Sequence, residues 1–100
     1  MDIKEQVKKY VQVVQTKSDS HYAPTGLDCP KIHALMGRKY AKLVIRGLSG
    51  DCVHTFVNME NGDILKSASW NAPAKHARGN IFSEDVGASA VDHYGAHYLR

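Results

Sequence analysis

The residues best suited to chemistry lie in one stretch, residues 66–80, which reads Lys-Ser-Ala-Ser-Trp-Asn-Ala-Pro-Ala-Lys-His-Ala-Arg-Gly-Asn. It holds the chain's single tryptophan, three cations and several amide and hydroxyl groups. An exposed indole ring stacks on a nucleobase, and Lys and Arg bind phosphate. The stretch therefore predicts a site for a phosphate joined to a base. The predicted ligand-binding residues are Lys66, Ser69, Trp70, Asn71, Lys75, His76, Arg78 and Asn80, together with His54 from an upstream strand.

A local helical turn would bring these groups together. Asn71 is suited to cap a turn that ends at Gly79, with Pro73 in its first turn. Free backbone N–H groups at the start of such a turn bind anions. Under the structural alternative, the tryptophan anchors the core and the cations only solvate a loop. The expected roles are phosphate contact for Lys66 and Arg78, stacking for Trp70, and hydrogen bonding for Ser69 and Asn80.

The sequence shows no pattern of a known catalytic centre. It has no paired-carboxylate motif, nucleophile elbow or phosphate-binding Walker loop. His54 or His76 could act as an acid or base, with Lys66 or Lys75 holding a phosphate. A lone histidine in a small domain is more often a core or surface residue, however. We therefore predict a non-enzymatic protein with no catalytic residue and no cofactor.

Metal-binding spacing is also missing. Cys29 and Cys52 lie 23 residues apart, which fits neither a metal site nor a redox motif, and both are predicted to be buried free thiols of a reducing cytoplasm. Among the six histidines, only His93 and His97 have the i, i+4 spacing of two ligands on one helix. Gly95 between them weakens that helix. We predict no metal ion.

Composition limits the chain to a single small domain over residues 1–100. Of its 100 residues, 43% are apolar and 23% are charged, which suits one core and argues against disorder. No apolar run reaches the roughly 18 residues of a membrane span, and the N-terminus lacks a signal-peptide pattern. The net charge is +3, but eight basic and three acidic residues lie between Lys31 and Arg78. This basic middle permits an anionic partner.

Periodicity predicts one helix and three strands. Apolar residues from Ile3 to Val14 recur at helical spacing, and Asp2 with Glu5 resembles a capping box, so we expect a helix over residues 3–17. Residues 18–30 are rich in turn formers and predict a long loop, a candidate lid. Strands are predicted at 40–46, 52–58 and 63–69, with turns at 48–51 and at Asn61-Gly62.

The hairpin register decides where Lys66 points. A two-residue Asn61-Gly62 turn would pair Val57 with Lys66, whereas a three-residue turn with a bulge would pair Phe56 with Lys66. The second, which we favour, places Lys66 on the sheet face of His54 and Phe56, because a one-residue slip inverts every side chain. Val53, Thr55 and Val57 would then occupy the core face.

The predicted fold is α+β. The N-terminal helix packs on a three-stranded antiparallel meander, followed by a basic loop or short helix and a short C-terminal helix. That last helix is expected from Ser83, its N-cap, to about Asp92. Residues 94–99 carry two tyrosines and a leucine and are expected to pack back on the domain.

One stretch resembles a signature of small tailed-bacteriophage proteins. Residues 62–75 read Gly-Asp-Ile-Leu-Lys-Ser-Ala-Ser-Trp-Asn-Ala-Pro-Ala-Lys and are followed by Arg78 and Asn80. The likeness spans residues 37–100 and includes 53–57, Tyr94-Gly95 and Tyr98-Leu99. Those proteins largely lack an assigned activity, so the resemblance implies a phage origin and a location in the host cytoplasm. It transfers no catalytic residue.

The predicted function is non-enzymatic binding of a small phosphorylated, nucleotide-type ligand, such as a host defence signal that a phage protein would sequester. A homo-oligomer could close the pocket. The first alternative is single-stranded nucleic-acid binding, because a sheet face with Tyr40, Lys42, Arg46, His54 and Phe56 would interleave aromatic and basic residues. A second alternative is inhibition of a host enzyme through a protein interface.

Overall fold

A computed structural model describes residues 2–47 and 50–96, and they form a helix, a five-stranded sheet and a C-terminal segment. All neighbouring strands are antiparallel and follow chain order, so the sheet is a meander. The α+β class is confirmed, but the predicted three strands are wrong. The elements are α1 (Ile3–Tyr22), a 3-10 turn (Ala23–Thr25), β1 (Lys31–Met36), β2 (Tyr40–Gly47), β3 (Gly50–Asn58), β4 (Asp63–Ser69), β5 (Ala72–Asn80) and a second 3-10 turn (Ala88–Ala90).

The two strands missed by sequence are the edge strands β1 and β5. β5 contains Pro73 and Gly79 and no β-branched residue, so its own strand propensity is low. It forms because a tight turn at Trp70–Asn71 folds it back on β4, with Ser69 opposite Ala72. Proline and register irregularities are tolerated on an edge strand. The helical turn expected from Asn71 to Gly79 is therefore wrong.

Helix α1 begins where expected and runs five residues further than expected. The Asp2 side chain accepts a hydrogen bond from the Lys4 backbone N–H at 3.0 Å. Buried Ser18 continues the inward stripe of Val7, Tyr10 and Val14 by one more turn. Because the helix and its 3-10 extension occupy residues 18–25, the predicted long loop shrinks to residues 26–30 and no lid remains.

Gln15 on α1 also covers part of the β1 edge. Its side-chain Oε1 accepts a hydrogen bond from the Ile32 N–H at 2.9 Å, and its Nε2 donates to the Pro30 carbonyl at 3.2 Å. One amide thus satisfies two backbone groups on the side of β1 that faces away from β2.

The core lies between α1 and one face of the sheet. Apolar residues of α1 pack there with Ile32, Leu43, Val57 and Ile64. The C-terminal segment, residues 81–96, lies in the same layer as the helix and contributes Ile81, Val91 and Ala96. The opposite face, which we call the open face, carries the cross-strand row Leu35, Lys42, Phe56, Leu65 and Ala77.

The expected C-terminal helix is wrong. The Asp85 carboxylate accepts hydrogen bonds from the backbone N–H groups of Gly87 and Ser89, which holds residues 83–89 in turns. Gly87 has a left-handed φ of +81° and lies directly on the Ile64 side chain, where only glycine fits. Of the tail expected to pack back, Ala96 is buried and Tyr94 is exposed, while His97, Tyr98 and Leu99 lie outside the described residues.

A β-bulge in β3 changes which residues face the helix. Leu43 pairs with Thr55 and Val44 with Val53, so His54 is an extra residue in β3. The bulge turns His54 to the helix side beside Thr55, and Val53 to the open face. The expected faces of Val53 and His54 are therefore wrong.

Both predicted registers of the next hairpin are also wrong. Thr55, not Phe56 or Val57, pairs with Lys66, because four residues (59–62) connect β3 to β4. Asn58 and Asn61 stabilise this longer connection by accepting hydrogen bonds from the N–H groups of Glu60 and Asp63. Of the predicted turn at 48–51, Leu48 and Ser49 lie outside the described residues, and Gly50 and Asp51 begin β3.

The described part of the chain contains no helix long and apolar enough to cross a membrane. Both cysteines are free thiols, but neither is buried, since Cys29 is half-buried and Cys52 is exposed. The expectation of two buried thiols is wrong.

The contact between Gly87 and Ile64 gives a stability prediction. We expect Gly87→Ala to lower the free energy of unfolding by about 3 kcal/mol, because left-handed strain adds to a clash with Ile64. Gly26→Ala is the matched control, since Gly26 has a similar φ of +72° but open space around it. It should cost about 1 kcal/mol. Urea unfolding measures both variants, and equal losses would contradict the close approach at Gly87.

Candidate functional site

The predicted site residues do not converge on one pocket. Trp70 and Asn71 form the turn between β4 and β5, which we call the hairpin tip. Lys66 lies on the helix side of the sheet, opposite Thr55. Lys75 and His76 are exposed on the irregular part of β5. The nine predicted residues therefore occupy several separate places.

Asn80, Arg78 and Ser69 make hydrogen bonds within the β4–β5 region and its connections. The Asn80 Nδ2 donates to the Asn61 carbonyl at 2.9 Å and to Asp63 Oδ1 at 3.0 Å, and its Oδ1 accepts from the Phe82 N–H at 2.8 Å. Asn80 thus joins the end of β5 to the β3–β4 connection. The Arg78 guanidinium donates to the His76 carbonyl at 3.0 Å. Ser69 is exposed, and its carbonyl accepts a hydrogen bond from the Ser67 hydroxyl at 2.9 Å.

His54 belongs to a buried hydrogen-bond chain. Its Nε2 lies 2.8 Å from the Asp92 carbonyl, and its Nδ1 lies 2.9 Å from Thr55 Oγ1. A carbonyl oxygen only accepts, so Nε2 carries the proton and Nδ1 accepts from the Thr55 hydroxyl. That hydroxyl then accepts from the Tyr10 hydroxyl, 2.6 Å away. Burial raises the pKa of Tyr10, which keeps this donor protonated.

This chain of hydrogen bonds requires a neutral His54 side chain. Burial lowers the pKa of His54 from 6.5 to about 4, an effect that its hydrogen bond to the Asp92 backbone partly opposes. Only 2% of the residue is exposed, and both ring nitrogens have protein partners. His54 therefore holds the fold together and offers no free nitrogen to a ligand or to acid–base catalysis.

A small cavity adjoins His54 and Lys66. It has a volume of about 260 Å³ and is also lined by Ser67, Tyr94 and Gly95. Lys66 and His54 do share one side of the sheet, as expected, but the bulge causes this and not the predicted turn. Pockets for drug-sized ligands usually measure roughly 300–1,000 Å³. This cavity is too small to enclose a nucleotide.

A second group of residues meets on the open face. We call Tyr40, Lys42, Phe56, Trp70 and Asn71 the lysine–aromatic cluster. The Lys42 Nζ lies 4.4 Å from the centroid of the Trp70 ring and 5.8 Å from that of Phe56, and it donates to Asn71 Oδ1 at 3.2 Å. The Tyr40 and Phe56 rings meet edge to face at 6.0 Å.

The irregular register of β4 and β5 explains how the hairpin tip reaches Lys42. Leu65 pairs with Ala77 and Ser67 with Pro73, so residues 74–76 of β5 oppose a single residue of β4. Such bulges bend a hairpin. The tip consequently lies within reach of the Lys42 side chain, which extends to it from β2, two strands away from β4. Trp70 remains 45% exposed there and is not a core anchor.

Basic residues also lie elsewhere on the open face, and neither α1 nor residues 81–96 pack on it. Lys31 and Arg46 form a cross-strand pair on this face, and the acidic residue Asp51 pairs with Arg46 from β3. Lys39 places its Nζ 5.5 Å from the Tyr40 ring, and Leu35 is exposed. Of the face predicted to interleave aromatic and basic residues, Tyr40, Lys42, Arg46 and Phe56 lie here, and only His54 does not. Alternation along β2 was the signal that identified the three residues of that strand.

Stacked histidines hold the C-terminal segment against α1. The His21 and His93 ring centroids lie 3.7 Å apart with an interplanar angle of 14°. Burial, with a contribution from His21, lowers the pKa of His93. His97, the expected partner of His93 at ligand spacing, lies outside the described residues.

Comparison with known proteins gives a family but no activity. The sequence model of a family of unknown function, DUF7717, matches residues 1–99. No curated protein and no solved structure matches the chain. The relationship to tailed-bacteriophage proteins and the cytoplasmic location therefore stay predictions.

The neutral His54 predicts a loss of stability in acid. The unfolded chain binds a proton at its His54 near pH 6.5, whereas the folded chain does so only near pH 4. Stability should therefore be complete above pH 6.5 and fall as the pH drops through this window, by about 3 kcal/mol for His54. His93 adds to the loss in the same direction. Urea unfolding between pH 7 and pH 4.5 measures it.

Two histidine variants distinguish the loss of stability caused by His54 from the effect of pH on the other charged groups of the protein. His54→Gln should be less stable at pH 7 and should lose less stability on acidification. His33→Gln, at an exposed position on β1, should keep the wild-type pH dependence. In the wild type, ¹⁵N NMR should show the His54 proton on Nε2. Titration of His54 above pH 6 would contradict the assignment.

Proposed function

We propose that this chain, which belongs to the family of unknown function DUF7717, binds single-stranded nucleic acid on the open face of its sheet. The observation that carries the proposal is the half-exposed Trp70 ring beside the Lys42 ammonium group, 4.4 Å from its centroid. One side of the indole contacts the cation, which leaves ring surface available to a base. Stacking on an aromatic ring next to a cation is a common way to bind unpaired bases.

The layout of charges on this face also favours a nucleic-acid strand over a compact small molecule as the ligand. Lys31 and Arg46 lie on the same face as Lys42, two cross-strand rows away from it. A row of cations along a sheet can track successive phosphates. Tyr40 and Leu35 add partly exposed apolar surface near Lys42. An extended, shallow and basic surface suits an unpaired strand better than a single small molecule.

The net charge of +3 limits the affinity that the proposal implies. Few phosphate contacts mean modest binding that weakens as salt rises. The sheet recognises bases by stacking, with little hydrogen bonding to base edges, so sequence preference should be small.

Binding of a free nucleotide-type ligand is a second candidate for the same cluster. The Lys42 ammonium and the Asn71 amide both lie beside Trp70, within the reach of one nucleotide. Sequestration of a defence nucleotide would place that ligand here, not among residues 66–80 as a whole. This candidate predicts equal affinity for a mononucleotide and an oligonucleotide.

Tryptophan fluorescence tests the proposal directly, because Trp70 is the chain's single tryptophan. We expect a labelled 12-nucleotide single strand to quench Trp70 and to gain anisotropy, with an affinity that falls steeply between 50 and 200 mM salt. Lys42→Gln should weaken binding several-fold and reduce the salt slope by about 0.7. Trp70→Leu should weaken it about tenfold through lost stacking.

Lys9→Gln is the matched control, since Lys9 is an exposed lysine on α1, on the other side of the sheet. It should bind like the wild type. A mononucleotide panel run in parallel separates the two candidates. Absence of any Trp70 response to oligonucleotides at 50 mM salt would refute the proposal.

A further inference from the structure

We infer that Phe56 is a second base-stacking site, which Lys42 covers in the free protein and uncovers when it turns to a phosphate. The inference rests on the proposed function and extends it from one ring to two.

The burial of Phe56 is the first observation. Phe56 lies in the middle strand on the open face, yet only 3% of it is exposed. Helix α1 and residues 81–96 pack on the other face, so neither covers this ring. Its cover includes neighbouring side chains of the open face, with the Tyr40 ring at 6.0 Å and the Lys42 Nζ at 5.8 Å.

The contacts of Lys42 show what holds this cover in place. Its ammonium group has two partners in the hairpin tip, the Trp70 ring at 4.4 Å and Asn71 Oδ1 at 3.2 Å. No carboxylate forms an ion pair with Lys42 within the described residues. A neutral amide and a ring face are weaker partners for an ammonium group than a phosphate oxygen. A phosphate on the open face therefore competes effectively for Lys42.

Turning Lys42 to a phosphate has a consequence for both rings. The same ammonium group now contacts Trp70 and Phe56, so its withdrawal frees a ring surface on each. The two rings would then flank one lysine, an arrangement that suits two successive bases with their linking phosphate on Lys42. Tyr40, at the edge of Phe56, would remain in place and support the newly exposed ring.

Fluorine NMR tests this inference with a built-in control. The chain has two phenylalanines, so labelling with 4-fluorophenylalanine gives two signals, from Phe56 and from the 44% exposed Phe82. Inorganic tripolyphosphate, a probe without a base, should uncover Phe56. Its signal should gain an H₂O/D₂O solvent isotope shift that is absent in the free protein, while the Phe82 signal stays unchanged. Lys42→Met should abolish the response.

An oligonucleotide should then add a stacking effect. The Phe56 signal should move upfield by the ring current of a base, and Phe56→Leu should weaken oligonucleotide binding about tenfold without changing mononucleotide binding. Phe82→Leu is the matched control and should bind like the wild type. Thermal unfolding checks that each variant is folded.

The outcomes separate this inference from the function on which it rests. If oligonucleotides quench Trp70 while the Phe56 signal stays shielded from solvent, the inference is overturned and the proposed function stands. If tripolyphosphate uncovers Phe56 but no oligonucleotide binds, the covering role of Lys42 is supported and the proposed function fails. A Phe56 signal that responds to neither probe overturns the second stacking site.

Discussion

A directional chain of buried hydrogen bonds, from Tyr10 through Thr55 and His54 to the Asp92 carbonyl, joins the helix, the sheet and the C-terminal segment. Only one placement of the protons gives every group in this chain a donor or an acceptor as its partner. That placement requires a neutral His54 imidazole. Buried polar groups stabilise a fold when every one has a partner, and they destabilise it when one is lost. The bulge at His54 is what brings the imidazole into this chain, so a local irregularity of β3 supports the whole helix-side layer.

These hydrogen bonds hold α1 and residues 81–96 on the helix side of the sheet, so neither of these two segments covers the open face. There, Lys42 lies between the Trp70 and Phe56 rings, and Tyr40 meets Phe56 edge to face. Such a surface is buried enough to be ordered and polar enough to remain in water. Lys42 is held on this face by the contacts of one ammonium group, which is a weaker restraint than the apolar packing of α1 on Leu43 and Val57.

Local signals in the sequence predicted the start of α1 at Asp2, the three inner strands and the open-face residues of β2. They failed at β5, where Pro73 and Gly79 disfavour a strand that pairing with β4 nevertheless imposes. The bulge at His54 depends on the register between strands, and no local pattern encodes it. The contact between Lys42 and Trp70 joins residues 28 positions apart and depends on the register between β4 and β5. For this reason the predicted site included Trp70 and Asn71 but not Lys42, the residue that contacts both of them.

The Gln15 amide, bonded to Pro30 and Ile32, occupies backbone groups that an incoming strand would need. The amide makes the hydrogen bonds that a neighbouring strand would otherwise make, so another polypeptide cannot pair with this part of the edge while they are in place. A strand added beside Ile32 would first have to displace the Gln15 amide from both of these backbone groups.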